Sequence, residues 1–191
     1  MNTVNVMIVG VGGQGSLLAS KLLGHVMIKK GYDVKVSEVH GMSQRGGSVV
    51  TYVRFGDKVY SPIVDKGEAD YIISFELLEA ARYMENLKPG GQVIVSSQQI
   101  DPMPVITGAA EYPEGLLDKM TAAGAKVDAF NALDLAVEAG SSKAANVVLM
   151  GRFSNYFTSV SKEEWLEAIE ECVPAKFLEL NKKAFDLGRG N

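Results

Sequence analysis

Apolar positions along this chain change period repeatedly, and each change marks an expected element. "VNVMIVG", Val4 to Gly10, is a short apolar run rich in β-branched residues, the pattern of a strand buried on both faces of a parallel sheet. After the glycines, "SLLASKLLGHVMIKKG" places Leu17, Leu18, Leu22, Val26 and Ile28 at helical spacing and predicts a helix ending at Gly31. "DVKVSEV" then reads as a second strand, completing a βαβ unit with a right-handed crossover. "SVVTYVRF" and "KVYSPIV", separated by Gly56 and Asp57, predict an antiparallel hairpin inserted into this plan.

Alternation resumes with strand "DYIISF", helix "ELLEAARYMENL", turn "KPGGQ" and strand "VIVSS", followed by helix "PEGLLDKMTAAG" and strand "AKVDAF". Pro102, Pro104 and Pro113 bound an excursion of about ten residues, read as a surface loop. The last third is helical: "ALDLAVEAG", "KAANVVLMGRFSNYF", and two helices divided near Pro174. In "SKEEWLEAIEECV", Ser161 and Glu164 have the spacing of a capping box. Phe153, Tyr156, Phe157, Trp165, Phe177 and Phe185 supply aromatic area, expected mainly in the core. No repeat or linker interrupts residues 1–191, so the expectation is one α/β domain: a Rossmann-like, three-layer αβα arrangement with a mostly parallel sheet, an inserted β-hairpin and C-terminal helices.

Composition narrows the function. The formal net charge is −4 and lysine and arginine are scattered, so the electrostatic footprint of a nucleic-acid binder is missing. The opening "MNTVNVMIVGVGGQG" has no basic leader and meets glycine before an apolar stretch reaches spanning length, so no membrane partner and a cytoplasmic location are expected. Cys172 is the lone cysteine, expected to be buried on a C-terminal helix; an iron–sulfur cluster, which needs several thiolates, would belong to another chain. With His25 and His40 the only histidines, and His25 reading as an ordinary helix position, no metal site is suggested.

Two glycine-bearing stretches carry the candidate chemistry. Gly10, Gly12, Gly13, Gln14 and Gly15 form G-x-G-x-x-G between a strand and a helix, where glycines allow a tight turn and close approach of a phosphate to the helix N-terminus. The turn admits a dinucleotide, with Glu38 as the ribose-binding acid, another ligand or subunit contact, or simple strand–helix packing. The second stretch, "EVHGMSQRGGSVV", holds His40, Met42, Ser43, Gln44, Arg45, Gly46 and Gly47. Its glycines allow an anion-binding concavity, Arg45 offers a planar fork for carboxylate or phosphate, Gln44 and Ser43 offer neutral hydrogen bonds, and His40 is of the one side-chain type whose ordinary range lies close to neutrality. In a βαβ plan both stretches lie beyond the carboxyl ends of the first two strands, at one rim.

"GVGGQGSLLASKLLG", followed by "DVKVSEVHGMSQRGGSVVTYVRFGDKVYSPIV", resembles the γ-type domain of the 2-oxoacid:ferredoxin oxidoreductases, most closely the β subunits of the indolepyruvate branch. "GEADYIISFELLEAARY", "LKPGGQVIVSS" and "AEYP" extend the likeness over most of the chain. The resemblance implies a subunit inactive alone, completing the site in which an aryl pyruvate, CoA and oxidised ferredoxin give an aryl acetyl-CoA, CO2 and reduced ferredoxin. It also implies that thiamine diphosphate, Mg and 4Fe–4S clusters sit on a large α subunit, with no cofactor held tightly by this chain. The two stretches would then serve the α-subunit interface, the substrate or CoA, and none of their residues is assigned a proton-transfer role. The alternatives are a γ subunit acting on pyruvate, 2-oxoglutarate or branched-chain 2-oxoacids, an NAD-dependent oxidoreductase, and a nucleotide-binding module without catalytic role.

Overall fold

The structure is a computed structural model that describes residues 2–40 and 46–190, with only the backbone of His40. Met42, Ser43, Gln44 and Arg45 lie outside the described residues. Six strands form one sheet: β1 (Val4–Val11), β2 (Asp33–His40), β3 (Ser48–Gly56), β4 (Ala69–Ser74), β5 (Leu87–Ser96) and β6 (Lys126–Phe130), in the order β2-β3-β1-β4-β5-β6. β1, β4, β5 and β6 pair in parallel, while β3 runs antiparallel to both β1 and β2. β1 and β2 therefore share a direction, as a βαβ unit requires, but β3 stands between them.

The helices are α1 (Ser16–Lys29), α2 (Leu77–Arg82), α3 (Met103–Ile106), α4 (Leu116–Ala122), α5 (Ala132–Ala139), α6 (Ala145–Ser154), α7 (Lys162–Cys172) and α8 (Leu178–Arg189). α2 and α4 cover one face of the sheet, over Met7, Val9, Ile72, Val93 and Val95. The other face, with Val6, Ile8, Val53, Ile73 and Ile94, carries the larger core beneath α1, α5, α6, α7 and α8. Alternate residues of β1 thus enter opposite cores, which is why it is apolar from Val6 to Val9, while the buried Asn5 is satisfied by the Glu68 carbonyl and Arg54.

The inserted hairpin exists, but its strands are β2 and β3, not β3 and "KVYSPIV". Both edges of β3 are already occupied, so no ladder remains for a following strand. "KVYSPIV" runs as an irregular segment held by side chains: Arg54 donates to the carbonyls of Ser61 and Ile63, and Asp33 accepts the Val59 N–H at 2.9 Å. Of its apolar residues Val59 and Val64 are tucked inward, while Pro62 has no N–H for a ladder. "KPGGQ" lies within β5 as an irregularity, because Ala69 pairs with Leu87 and Tyr71 with Gln92, leaving the intervening residues to bulge around Gly90 at φ +72°.

α1 ends at Lys29, and Gly31 follows in the left-handed conformation at φ +84°. Leu17 and Ile28, expected on its inner face, are exposed, because one stripe of the helix suffices to cover the sheet. Ser161 and Glu164 cap α7 reciprocally, each side chain accepting the other residue's backbone N–H. Phe153, Trp165 and Phe185 are fully buried in edge-on and tilted contacts, Phe157 is nearly so, and Tyr156 and Phe177 stay at the surface. Cys172 is half-buried, and burial raises its thiol pKa, which disfavours the reactive thiolate.

Candidate functional site

β1 delivers Gly10 and Val11 to the carboxyl rim of the sheet, where the chain turns into α1. Gly13 and Gly15 adopt φ +98° and +88°, a region that favours glycine, and Gly15 serves as the N-cap of α1. A Cβ on Gly15 would also lie 2.6 Å from the Asn146 amide nitrogen, which donates to the Gly15 carbonyl. A Cβ on Gly10 would stand 2.8 Å from Gln14 Oε1. The first glycine therefore makes room for the fifth residue of its own motif.

Gln14 is occupied within the fold. Its Oε1 accepts the Val11 N–H at 2.7 Å, and its Nε2 donates to the Phe75 carbonyl and Gln98 Oε1, both at 3.3 Å. It ties the turn to the segments after β4 and β5. Gln14→Glu would set a carboxylate against the Phe75 carbonyl without a donor, so denaturant unfolding should show a loss of about 1–2 kcal/mol. A loss below ~0.5 kcal/mol would mean that these bonds contribute little.

The two predicted stretches meet at this rim. Gly12 N–H donates to the Gly47 carbonyl at 2.8 Å, Val11 pairs with Ser48, and Val49 is opposite Gly10 on one side and His40 on the other. Gly46 and Gly47 therefore lie beside the G-x-G-x-x-G turn, as the shared-rim expectation requires. Glu38, by contrast, is on β2, two strand spacings or roughly 10 Å from β1. The ribose acid of a dinucleotide fold stands on the strand next to the turn, and here β3 occupies that place.

Beneath the turn opens a cleft of about 550 Å³, bordered by Gly13, Phe75, Ser96, Gln98 and Lys143. It lies between the carboxyl ends of β1 and β4, where one crossover leads towards β2 and the next towards β5, so it occupies the sheet's topological switch point. α1 and α6, 14 and 10 residues long, both begin here without a side-chain cap or an acidic residue in the first turn. No Asp or Glu is among the described residues lining the cleft. Two positive helix ends and a lysine favour an anionic group. Ser96, Gln98 and Lys143 escaped sequence reasoning, although a polar residue directly after the buried strand "VIVSS" is the signal that could have flagged Gln98.

Two buried carboxylates stand behind this rim. Glu76, 1% exposed, caps α2 and accepts the N–H groups of Glu79 and Ile100 and the Tyr112 hydroxyl at 2.5 Å. Burial, followed by the Glu76 hydrogen bond and charge, pushes the Tyr112 hydroxyl well above the ordinary phenol range. Glu79, 6% exposed, accepts the Ser48 hydroxyl and pairs with Arg82 at 3.1 Å. Burial outweighs those contacts and lifts its carboxyl above the usual range. Among the described residues no group of three or more His, Cys, Asp or Glu could hold a metal ion. One cysteine does not furnish the ligands of an iron–sulfur cluster.

Fold and cleft thus define a doubly wound α/β domain with an anion-favouring crevice at its switch point. The family model described as pyruvate ferredoxin/flavodoxin oxidoreductase matches residues 5–190, and the chain belongs to that family. It is 47% identical to indolepyruvate oxidoreductase subunit IorB of Thermococcus kodakarensis, over 98% of this chain and 95% of that one. The IorB subunit of Archaeoglobus fulgidus is 40% identical, over 97% and 93%. Among solved structures, the keto/oxoacid ferredoxin oxidoreductase gamma subunit of Geobacter sulfurreducens superposes with a TM-score of 0.73 at 28% identity, covering 97% of this chain and 95% of that one. No helix among the described residues is long and apolar enough to cross a membrane.

Proposed function

We propose that this chain, acting as one unit over residues 1–191, is the smaller subunit of an aryl pyruvate:ferredoxin oxidoreductase, with indolepyruvate as the reference substrate, working in the cytoplasm. The observation that carries the reading is the 47% identity to an indolepyruvate oxidoreductase subunit over nearly the whole of both chains. The reaction cleaves the bond between the carboxylate and the oxo carbon, releases CO2, joins the remaining acyl carbon to the CoA sulfur with release of the thiol proton, and passes two electrons to ferredoxin. Thiamine diphosphate with Mg on a large α subunit supplies the nucleophile and electron sink, and 4Fe–4S clusters there carry the electrons away.

This chain's residues bind, orient and exclude water. The cleft suits the phosphates of CoA, because the two helix N-termini and Lys143 lower the cost of placing anionic groups there. Gly46 and Gly47, with Arg45, Gln44, Ser43, Met42 and His40 in the adjoining stretch, face the α subunit and orient a carboxylate or phosphate. Gly12 and Gly13 keep side chains out of the turn so that backbone approaches the ligand closely, while Gly10 and Gly15 shape that turn by making room for Gln14 and Asn146. Gln14 borders the same cleft and ties the turn to the segments after β4 and β5.

Co-expression with the large subunit, followed by assay of several aryl 2-oxoacids with a viologen dye, tests the reading. Reduction should require both chains, thiamine diphosphate and CoA. Within such a complex Arg45→Ala should lower kcat/KM at least about tenfold, roughly 1.4 kcal/mol of transition-state stabilisation. Turnover, substrate affinity and CoA affinity all within about twofold of the parent would remove Arg45 from the site.

A further inference from the structure

Large apolar side chains clustered on an exposed loop gain nothing from water, so a loop that carries them marks a surface awaiting a partner. The excursion between β5 and α4 is such a loop. From Asp101 to Glu114 every residue except Pro102, Val105 and Tyr112 is exposed, and the exposed ones include Met103 at 64% and Ile106 at 65%, together with Pro104, Ala109 and Ala110. No lysine or arginine lies between Lys88 and Lys119, whereas Asp101, Glu111 and Glu114 stand on either side of the apolar run. The excursion is therefore an apolar tip with acidic flanks.

Its shape is fixed from within and at the neck. The N–H groups of Val105 and Ile106 donate to the Pro102 carbonyl, those of Ala109 and Ala110 to the Pro104 carbonyl, and the Thr107 N–H and hydroxyl to the Met103 carbonyl. Pro102 and Pro104 restrict the backbone further. Glu76 closes the neck with a single oxygen: Oε1 accepts the Ile100 N–H at 3.1 Å where the excursion leaves the domain, and the Tyr112 hydroxyl at 2.5 Å where it returns. The Tyr112 oxygen also accepts the Leu78 N–H at 3.0 Å, which anchors the returning end to α2. A compact loop tied at its neck has little ordering left to do when it binds, so its apolar contacts are not offset by lost freedom.

Position and charge select the occupant. Gln98 and Ile100 border the cleft, and Asp101 is the next residue, so the excursion starts where the cleft wall ends. About a dozen residues are too few for a stable interface, which engages roughly 20–30 a side, so the tip is one part of a contact that extends over the cleft. Two copies of this chain meeting tip to tip would set their acidic flanks against each other. We propose that the excursion from Asp101 to Glu114 docks its apolar tip in an apolar recess rimmed with lysine or arginine on the large subunit, beside the cleft. This rests on the proposed oxidoreductase reading, which supplies that subunit.

The test measures the Kd of the full chain for the immobilised large subunit at low and high salt, with two double variants, Met103→Ser with Ile106→Ser and Glu111→Lys with Glu114→Lys. All four side chains are exposed, so both variants should melt within about 2 °C of the parent. The serine variant should bind at least about tenfold more weakly at either salt concentration, since it removes the apolar anchors. Parent affinity should fall at least about threefold between ~0.05 and ~0.3 M salt, and the lysine variant should bind at least about fivefold more weakly at low salt and lose that dependence. A Kd within about twofold of the parent for the serine variant, or a lysine variant that binds as tightly as the parent at low salt, overturns the proposal. So does sedimentation that finds a dimer of the free parent chain abolished by the two serines, because a second copy would then be the occupant. Failure of the oxidoreductase reading is distinct: the parent chain itself then fails to join the large subunit, or the joined pair reduces no dye with any aryl 2-oxoacid.

Discussion

Gly151→Ala is expected to destabilise the chain by about 3 kcal/mol, although alanine is the better helix former by ~1 kcal/mol. α6 and α8 cross so closely that a Cβ on Gly151 would lie 2.1 Å from the Phe185 carbonyl oxygen and 3.0 Å from the Arg189 nitrogen. Gly188 on the facing helix repeats the arrangement, its Cβ position falling 1.9 Å from the Val148 carbonyl oxygen. Backbone atoms cannot rotate aside, so the helices must part by roughly 1 Å or more, beyond the tolerance of a close-packed interior. The shift would draw Phe185 away from Trp165, with which it packs at 6.0 Å between ring centroids. For a chain of this size a thermal melt should show a drop of about 6–12 °C. A melting point within about 2 °C of the parent would mean that α8 can be displaced without cost.

Arg152→Leu should cost about 2 kcal/mol at neutral pH and invert the acid behaviour of one carboxylate. Arg152 grips Asp128 through Nε at 2.6 Å and Nη2 at 2.9 Å, and Tyr156 donates its hydroxyl to the same carboxylate at 2.7 Å. Burial alone would raise the Asp128 carboxyl, but the Arg152 and Tyr156 hydrogen bonds, with the Arg152 charge, hold it below the usual carboxylate range. The same carboxylate, after burial, helps push Tyr156 up to about 12. A lowered folded pKa makes the contribution of Asp128 complete above its unfolded value, near pH 4, and progressively lost as pH falls through the folded value.

Without Arg152 burial dominates, the folded carboxyl rises above its unfolded value, and stability recovers on acidification where the parent loses it. The Asp128 side chain is 11% exposed and that of Arg152 34%, which places the cost below the range of a fully buried pair. Urea unfolding of both proteins between pH 3 and 7 measures the difference. Parallel pH profiles would show that the ion pair does not control this carboxylate.

Locally encoded features were legible in the chain. The β1 run, the glycine turn, the Ser161 and Glu164 cap and the alternation of strands and helices each depend on residues within a few positions of one another, and the structure carries all of them. The shared rim was legible as well, through the common direction of β1 and β2. Gln14 shows what such reading leaves out: it borders the cleft, as its place in G-x-G-x-x-G suggests, but its amide also bonds Val11, Phe75 and Gln98, partners that no local pattern names.

Sequence by itself determined most of the strands and helices, though not the irregular course of "KVYSPIV", and also where the glycine-bearing corners fall and the family resemblance, because periodicity, capping and turn chemistry act over short distances. Only the tertiary structure decided that β3 fills the space between β1 and β2, leaving "KVYSPIV" without a ladder and Glu38 too far out to serve the turn. It alone brought Lys143 and the start of α6 to the cleft, and joined Ser48 to Glu79 and Glu76 to Tyr112 across 31 and 36 residues. Such contacts depend on which strand edges remain open and which buried polar groups must find partners, conditions that exist only once the layers have packed.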